Sequence, residues 1–454
     1  MRNIVLIGWD SVRADHCSCY GYCRETTPFL NKIANKGVKF EYPIVSGLST
    51  LQSLIGVLTG DYCPILSELV DPKDFRKVLK IRTTLADILS KNKYETGGIS
   101  TNESISTIYG FNKGFKWFKD PIRRIVYKKW SIIERHRIAP ILRKLKLERV
   151  ASFLKHYLNP KIPYIRWEEV YEDILQWVLN VSNSGNYYFL WIFLIDTHRP
   201  WIPPKDFQFS PASIRRLNYL DYKSWEMGRK KIRKYGGKEI WKMANQAYYP
   251  KLKEKEQKEL IDAYDGEIRH VDYFVRKLWE DLKDTDPIFI VFSDHGEAFG
   301  EHGFYGHPAE HYEYLIRVPL VIYNADRKET IKKPISLLRL PSTICELAGI
   351  RSKFKYQSLF EGSYPSPIVE NKFERGFRIT VRDEEWKLIL NSDRENELYN
   401  IKKDPHEKTN LIRDELDIKR ELEAIAKKHI NMRLKTEIEL QKIRSLKKKR
   451  KIII

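Results

Sequence analysis

The sequence predicts an α/β protein built on a mostly parallel sheet, with a smaller α+β unit at its C-terminal end. Three observations carry that expectation. Short apolar runs such as "NIVLIGWD", "YYFLWIFLID" and "PIFIVFSD" are continuous rather than alternating, the mark of strands covered on both faces. Segments of helical period lie between them. Each run stops at an acid, Asp10, Asp196 or Asp294, where an isolated charge beside an apolar strand is expensive without a partner.

The elements follow in order. "NIVLIGWD" is the first strand. "TTPFLNKIANKG" is a helix opened by Thr and Pro and closed by Gly37. "VKFEYPIV" is extended. A hydroxyl-rich turn then leads into a helix over residues 51–58, and "TTLADILSKNKYETGGIS" is a helix feeding a strand. A strongly basic helical insertion covers about residues 120–161. The alternation resumes with the amphipathic "YIRWEEVYEDILQWVLNV", the strand ending at Asp196, and a second, polar insertion over about residues 206–257. A long helix, "KELIDAYDGEIRHVDYFVRKLWEDL", precedes the strand that ends at Asp294, and "RVPLVIY" is another strand. The large unit is expected over residues 1–361, an antiparallel sheet with a closing helix over 362–430, and a basic tail over 431–454.

Composition narrows the function. With 454 residues and 42% hydrophobic content the chain is globular rather than disordered. A net charge of +21 favours anionic partners such as phosphate or sulfate esters, acidic glycans or anionic membrane. The basic insertion is a candidate for peripheral contact with membrane or glycan, its alternative being a solvated face on a packed helix. No nucleic-acid motif is present. Five cysteines without a regular framework argue against a disulfide scaffold, and C-x-C-x3-C around Cys17, Cys19 and Cys23 matches no zinc spacing. No apolar run spans a bilayer, and the N-terminal run lacks the features of a signal peptide, so the expected location is cytoplasmic.

In open parallel sheets ligands bind beyond the carboxyl ends of the strands. The predicted strands deliver Asp10, then Asp196 and His198, then Asp294 and His295, followed by Glu297, His302 and His307. Carboxylates with imidazoles suit a divalent cation. The stretch "SGLSTLQSLIGVLTG" over residues 46–60 adds hydroxyls, as a helix cap or as a nucleophile.

"NIVLIGWDSVRADHCSCYGYCRETTPFLNKIANKGVKF" resembles the opening of the sulfatase family within the alkaline phosphatase superfamily: a strand, D-x-x-R-x-D, Y-G, T-P-x-L, a helix and G-x-x-F. "SDHGEAFGEHGFYGHPAEHYEYLIRVPLVIY" is similar to its S-D-H-G-E, G-x-H-G and R-V-P-L signature, and "LIDTHRPWIPP" to its H-x-P loop. "WKLIL" and "ELYNIKKDPHEKTNL" resemble its C-terminal motifs. The resemblance implies an alkaline-phosphatase-like three-layer sandwich with a metal at the carboxyl end of the sheet. It places the nucleophile ten residues before the Gly of L-x-T-G, here "VLTG" ending at Gly60, and therefore at Thr50.

The same stretch departs from the family. Sulfatases carry Cys or Ser in C/S-x-P-x-R and convert it to formylglycine, whereas this chain has Thr50, Gln52 and Leu54. Oxidising a secondary alcohol gives a ketone, so no formylglycine is expected. Ser11 replaces the second of the paired acids, and His295 stands where the Asp-Asn pair has Asn. The set Asp10, Thr50, Asp294 and His295 resembles that of superfamily members using a Thr nucleophile on phosphate esters. It implies one bound divalent ion, whether Mn, Zn, Mg or Ca. His198 is expected to contact the ester or protonate the leaving group. Arg13, His307 and Ser53 are expected at the substrate, Arg13 alternatively as a brace. His302 is expected to be structural and Glu297 to orient a neighbour. Asp196 could join a second metal site, but D-x-H lacks the D-x-x-x-H spacing of two-zinc phosphodiesterases, which favours a single ion. The leading expectation is a metal-dependent hydrolase of phosphate mono- or diesters. Transfer of the group to a lipid or glycan acceptor, sulfuric ester hydrolysis, and a non-catalytic binding protein are the alternatives.

Overall fold

Continuous apolar runs become the buried middle of one large sheet. The computed structural model describes residues 1–64, 72–120, 164–217, 220, 252–373 and 376–450. The basic insertion lies outside the described residues, as does most of the polar one. In chain order the strands are β1 (Ile4–Trp9), β2 (Val38–Ile44), β3 (Glu95–Ser100), β4 (Trp117–Lys119), β5 (Tyr188–Leu194), β6 (Ile288–Ser293), β7 (Ala298–Phe299), β8 (Tyr305–Gly306), β9 (Leu320–Tyr323) and β10 (Glu329–Ser336), followed by β11 (Ile368–Phe373), β12 (Gly376–Arg382), β13 (Trp386–Asn391) and β14 (Glu397–Asn400). The main sheet runs β10-β2-β9-β6-β1-β5-β3-β4. Its pairs are parallel except where β9 meets β2 and β6. The mostly parallel α/β sandwich expected from the sequence is what forms.

The helices are α1 (Pro28–Ala34), α2 (Thr50–Thr59), α3 (Pro72–Ile81), α4 (Leu85–Lys91), α5 (Tyr171–Asn183), α6 (Glu254–Leu282), α7 (Glu313–Ile316), α8 (Leu340–Leu347) and α9 (Leu416–Arg450). They cover both faces of the sheet. Ile4 and Leu6 of β1 face a core shared with α2, α3, α4 and α8, while Val5, Ile7 and Trp9 face one shared with α1, α5 and α6. This is the two-residue period of a strand, with apolar demand on both sides. Gly8 sits where a Cβ would lie 2.7 Å from Phe193 and 3.0 Å from Phe292, so the large rings of the flanking strands close over it. Thr84 and Asp87 form a reciprocal cap on α4. Thr27 makes no side-chain cap for α1; the backbone N–H groups of Phe29 and Leu30 donate instead to Asp272 of α6, each at 2.8 Å.

β11–β14 form a separate antiparallel sheet. One face packs under α9 through Val381, Leu388, Leu398, Leu422 and Ala426. The other joins the main core through Val369, Ile389 and Tyr399. Much of the segment expected as a tail from residue 431 is a continuation of α9, which docks through His429 and Arg433 onto Glu370. Lys387 of β13 is fully buried; its ammonium donates to the His311 carbonyl at 2.9 Å and pairs with Glu407 and Glu313. Replacing it leaves the buried Glu407 carboxylate without its cation and Glu313 with Arg382 alone. Lys387→Met is expected to destabilise the fold by about 3–5 kcal/mol in urea denaturation, despite keeping an apolar stem of similar length.

Candidate active site

β1 lies between β5 and β6, and Trp9 is in register with both Leu194 and Ser293. The residues after those three positions therefore emerge at one level. The Asp10 N–H donates to the Leu194 carbonyl at 3.0 Å and the Asp294 N–H to the Trp9 carbonyl at 3.3 Å, carrying the ladder one step past the strands. Asp10, Asp294 and His295 are fully buried, and their ligand atoms lie within 4.8 Å of one another.

Most of the polar capacity of these three is taken up by neighbours. Asp10 accepts from the Ser11 hydroxyl at 2.7 Å and from Asn102 Nδ2 at 2.7 Å. Asp294 Oδ1 accepts the N–H groups of Ser11 (3.0 Å) and His295 (2.9 Å). Ser11 makes its two contacts from a left-handed backbone, φ 61°, a conformation side chains rarely adopt away from functional sites. His295 Nδ1 donates to the Gly296 carbonyl at 3.0 Å, which leaves the lone pair on Nε2. A Cβ on Gly296 would lie 2.0 Å from the Tyr314 carbonyl, so glycine is required where the chain turns behind His295. Three groups then converge. His295 Nε2 stands 3.2 Å from Thr50 Oγ1 and 3.3 Å from Asp294 Oδ2, a fully buried oxygen without a hydrogen bond among the described residues. An orphaned carboxylate oxygen, an imidazole lone pair and a hydroxyl at one point fit a divalent cation.

Electrostatics agree. Burial, with the like charge of Asp10, pushes Asp294 up to about 6. Burial opposes charging of His295, but Asp294 and Asp10 outweigh it and raise its pKa.

Thr50 is the first residue of α2. Ser49 is the cap: its hydroxyl accepts the Gln52 N–H at 3.2 Å. Ser53 lies within the helix, which starts at Thr50. Ser53 is fully buried with no hydrogen bond to its hydroxyl among the described residues. Thr50 thus stands where the first-turn N–H groups and the helix dipole favour an anion.

Histidines form one wall. The His295 and His307 rings are 4.6 Å apart, and those of His198 and His307 are 5.3 Å apart. His307 Nδ1 bonds Glu297 at 2.9 Å and His198 Nδ1 donates to the Arg199 carbonyl at 2.8 Å. Burial lowers the His307 pKa, with His295 and His198 adding to the effect against Glu297. Arg13 is a brace: its guanidinium is committed to Asp15, to Glu301 and to the Glu297 carbonyl. The substrate contact expected for it gives way to those ion pairs. His302 stacks on Tyr312 at 3.8 Å and bonds the Glu407 carbonyl, a structural position. Asp196 turns toward the Trp167 N–H at 3.3 Å and away from Asp10 and Asp294. The cysteines are free, and Cys23 alone is exposed.

Asn102, Ser11 and Thr197 were not anticipated. Thr197 donates to the Asp10 carbonyl. Asn102 follows β3, and the rule that ligands gather past the strand ends points to it as it does to Asp10.

Comparison with known proteins now has a geometry to rest on. A family model described as "Sulfatase" matches residues 2–350. The chain belongs to the sulfatase family. It is 23% identical over 470 residues to an arylsulfatase of Clostridium perfringens, covering 91% of this chain and 90% of that one. The phosphonate monoester hydrolase of Agrobacterium radiobacter superposes with a TM-score of 0.66 at 17% identity, over 96% of both chains. A protein solved with its substrate D-glucosamine-2-N,6-O-disulfate superposes at 0.64 and 17% identity, over 96% of this chain and 98% of that one. This sulfatase-family hydrolase therefore shares its fold with a phosphonate monoester hydrolase and with a protein that takes a sulfated glucosamine, and its Asp10–Asp294–His295 group is a candidate metal site.

Two outcomes follow from the geometry. Asn102→Ala frees one oxygen of Asp10 and is expected to weaken divalent-ion binding about tenfold in titration calorimetry. The proton on Asp294 competes with the cation, so affinity is expected to fall as the pH drops below about 6. The sign for stability is opposite. A carboxyl raised in the folded state favours the metal-free fold at low pH and loses that contribution as the pH rises through about 6, until a bound cation restores it.

Proposed function

We propose that this sulfatase-family hydrolase cleaves phosphate esters, with Thr50 as the nucleophile. The observation that carries the reading is the Thr50 hydroxyl at the start of α2, 3.2 Å from His295 Nε2. A threonine cannot supply the formylglycine gem-diol, but its hydroxyl is suited to direct attack on phosphorus. Asp10, Asp294, His295 and Thr50 would hold the divalent cation, which supplies Lewis-acid stabilisation and lowers the hydroxyl pKa. Thr50 Oγ1 gives up its proton to bulk water and forms the new bond to phosphorus as the ester P–O bond breaks, and it takes a proton back from water when it departs in the second step. The N-terminal turn of α2 stabilises charge on the transferring group. The departing oxygen takes a proton from His198. Glu297 orients His307. Water then attacks the phospho-threonine, with the same histidine accepting its proton. The surplus positive charge of the chain favours an anionic ester.

A second reading, sulfuric ester hydrolysis, draws on the arylsulfatase similarity over 91% of the chain. The two separate in one assay. Bis-p-nitrophenyl phosphate is expected to turn over with a kcat/KM at least about tenfold above that of p-nitrophenyl sulfate, in the presence of Mn2+, Zn2+, Mg2+ or Ca2+. Thr50→Ala is expected to lose about a thousandfold or more in kcat with an unchanged circular dichroism spectrum. Full activity in that variant removes Thr50 from the mechanism, and a preference for the sulfate ester reverses the substrate assignment.

A further inference from the structure

A second cluster of metal-type donors lies in the same unit, built from other elements. Glu168 belongs to the short turn Trp167–Glu169, Asp196 follows β5 and His270 stands in α6; one ligand atom from each lies within 4.8 Å of the others. His270 and Asp196 are buried, while the Glu168 side chain is 44% exposed, so the cluster has a route to solvent.

The hydrogen bonds at His270 cannot all be satisfied by protons. Its Nε2 lies 2.8 Å from Glu168 Oε1 and 2.9 Å from the Trp167 indole nitrogen. The indole only donates and an ionised carboxylate only accepts. If Nε2 carries a proton it faces the indole N–H; if it does not, its lone pair faces the carboxylate. On the other side of the ring, Nδ1 stands 3.2 Å from Arg166 Nη1 and 3.6 Å from Glu267 Oε2. Two fully buried oxygens of the cluster, Asp196 Oδ2 and Glu267 Oε2, have no hydrogen bond among the described residues. The charges do not balance either. Glu168, Asp196 and Glu267 meet one guanidinium, Arg166, which pairs with Glu267 Oε1 at 3.2 Å. With His270 neutral, as a ligating imidazole must be, the surplus is two negative charges, the charge of one divalent cation.

We propose that Glu168, Asp196 and His270 bind a second divalent cation of the zinc type, with Glu267 orienting His270. Donors about 2.1 Å from a tetrahedral ion stand roughly 3.4 Å apart, a spacing inside the 4.8 Å that spans the ligand atoms of this cluster. The ion then takes the Nε2 lone pair in place of the Trp167 indole N–H, and the Nδ1 proton turns from Arg166 toward Glu267 Oε2, the usual arrangement of a carboxylate behind a ligating imidazole. The unpartnered Asp196 oxygen completes the set. In the absence of the ion, burial pushes Asp196 up to about 7, and His270, against its own burial, is drawn up to about 9 by Glu168 and Glu267, as expected where negative charge is in excess. None of these residues supplies the group at Asp10, Asp294 and His295, so the inference does not depend on the ester chemistry proposed above.

The test is metal stoichiometry on the full-length chain. The protein is stripped with chelator, dialysed against Zn2+ and assayed by mass spectrometry of the metal. Glu168→Gln, at a half-exposed position of unchanged shape, and His270→Ala are each expected to retain one Zn2+ per chain fewer than the wild type. Asp196→Asn is expected to do the same. The Co2+-loaded wild type is expected to show a visible absorption component that His270→Ala lacks. Equal Zn2+ content in the wild type and Glu168→Gln overturns the proposal whatever the state of the other site, and so does zinc-free wild-type protein.

Discussion

Two carboxylates buried side by side, Asp10 and Asp294, are the constraint on which the rest of the site depends. They end adjacent parallel strands of the same sheet, so register brings them to one level. Two like charges at that depth are unstable alone. The chain answers with oriented donors. Ser11 bends into a left-handed conformation to serve both acids, Asn102 reaches Asp10 from β3, and the His295 N–H returns to its own neighbour. These bonds orient the carboxylates without neutralising them. Net negative charge facing an imidazole lone pair is the arrangement a cation completes, and the Thr50 hydroxyl stands beside it.

Much of this was legible in the sequence because burial writes itself as continuous apolar runs. β1, β5 and β6 are buried along their whole length, and the acids that follow them are conspicuous for that reason. Asn102 was harder to see, since it follows a strand carrying two glycines and a threonine rather than an apolar block. Ser11 was noted for the acid it replaces, while its own part depends on a backbone conformation that residue type does not encode. Asp196 shows the opposite failure. It ends an apolar strand as Asp10 does, yet its side chain turns to the Trp167 N–H, because β5 meets the short turn before α5 on that side. Sequence position alone does not say to which side of a strand end a carboxylate turns. The cap on α1 was missed for a related reason: the acceptor is Asp272, hundreds of residues away in α6.

The C-terminal subdomain is tied to the site by charge as well as by packing. Arg13 links the loop after β1 to the loop after β6 through Glu301 and the Glu297 carbonyl, and Tyr314 packs over its guanidinium. Tyr314 belongs to α7, whose Glu313 pairs with Lys387 and Arg382 of the small sheet. His302, on the loop after β6, bonds the carbonyl of Glu407. The family motifs at the two ends of the chain are therefore parts of one connected structure.

The substitution at residue 50 can be understood on this frame. A formylglycine and a threonine need the same surroundings: a cation held by the strand-end acids, a helix N-terminus for the anion, and an imidazole to manage the proton. They differ in the group that attacks. The gem-diol eliminates the sulfate and regenerates its aldehyde, whereas an ester on threonine must be opened by an external nucleophile. Direct attack by water therefore needs a base within reach of the intermediate. Three histidine rings within 5.3 Å of their neighbours stand along that wall, His307 fixed by Glu297 and His198 by the Arg199 carbonyl. That density of imidazole beside a plain hydroxyl supports the proposed turnover through a phospho-threonine.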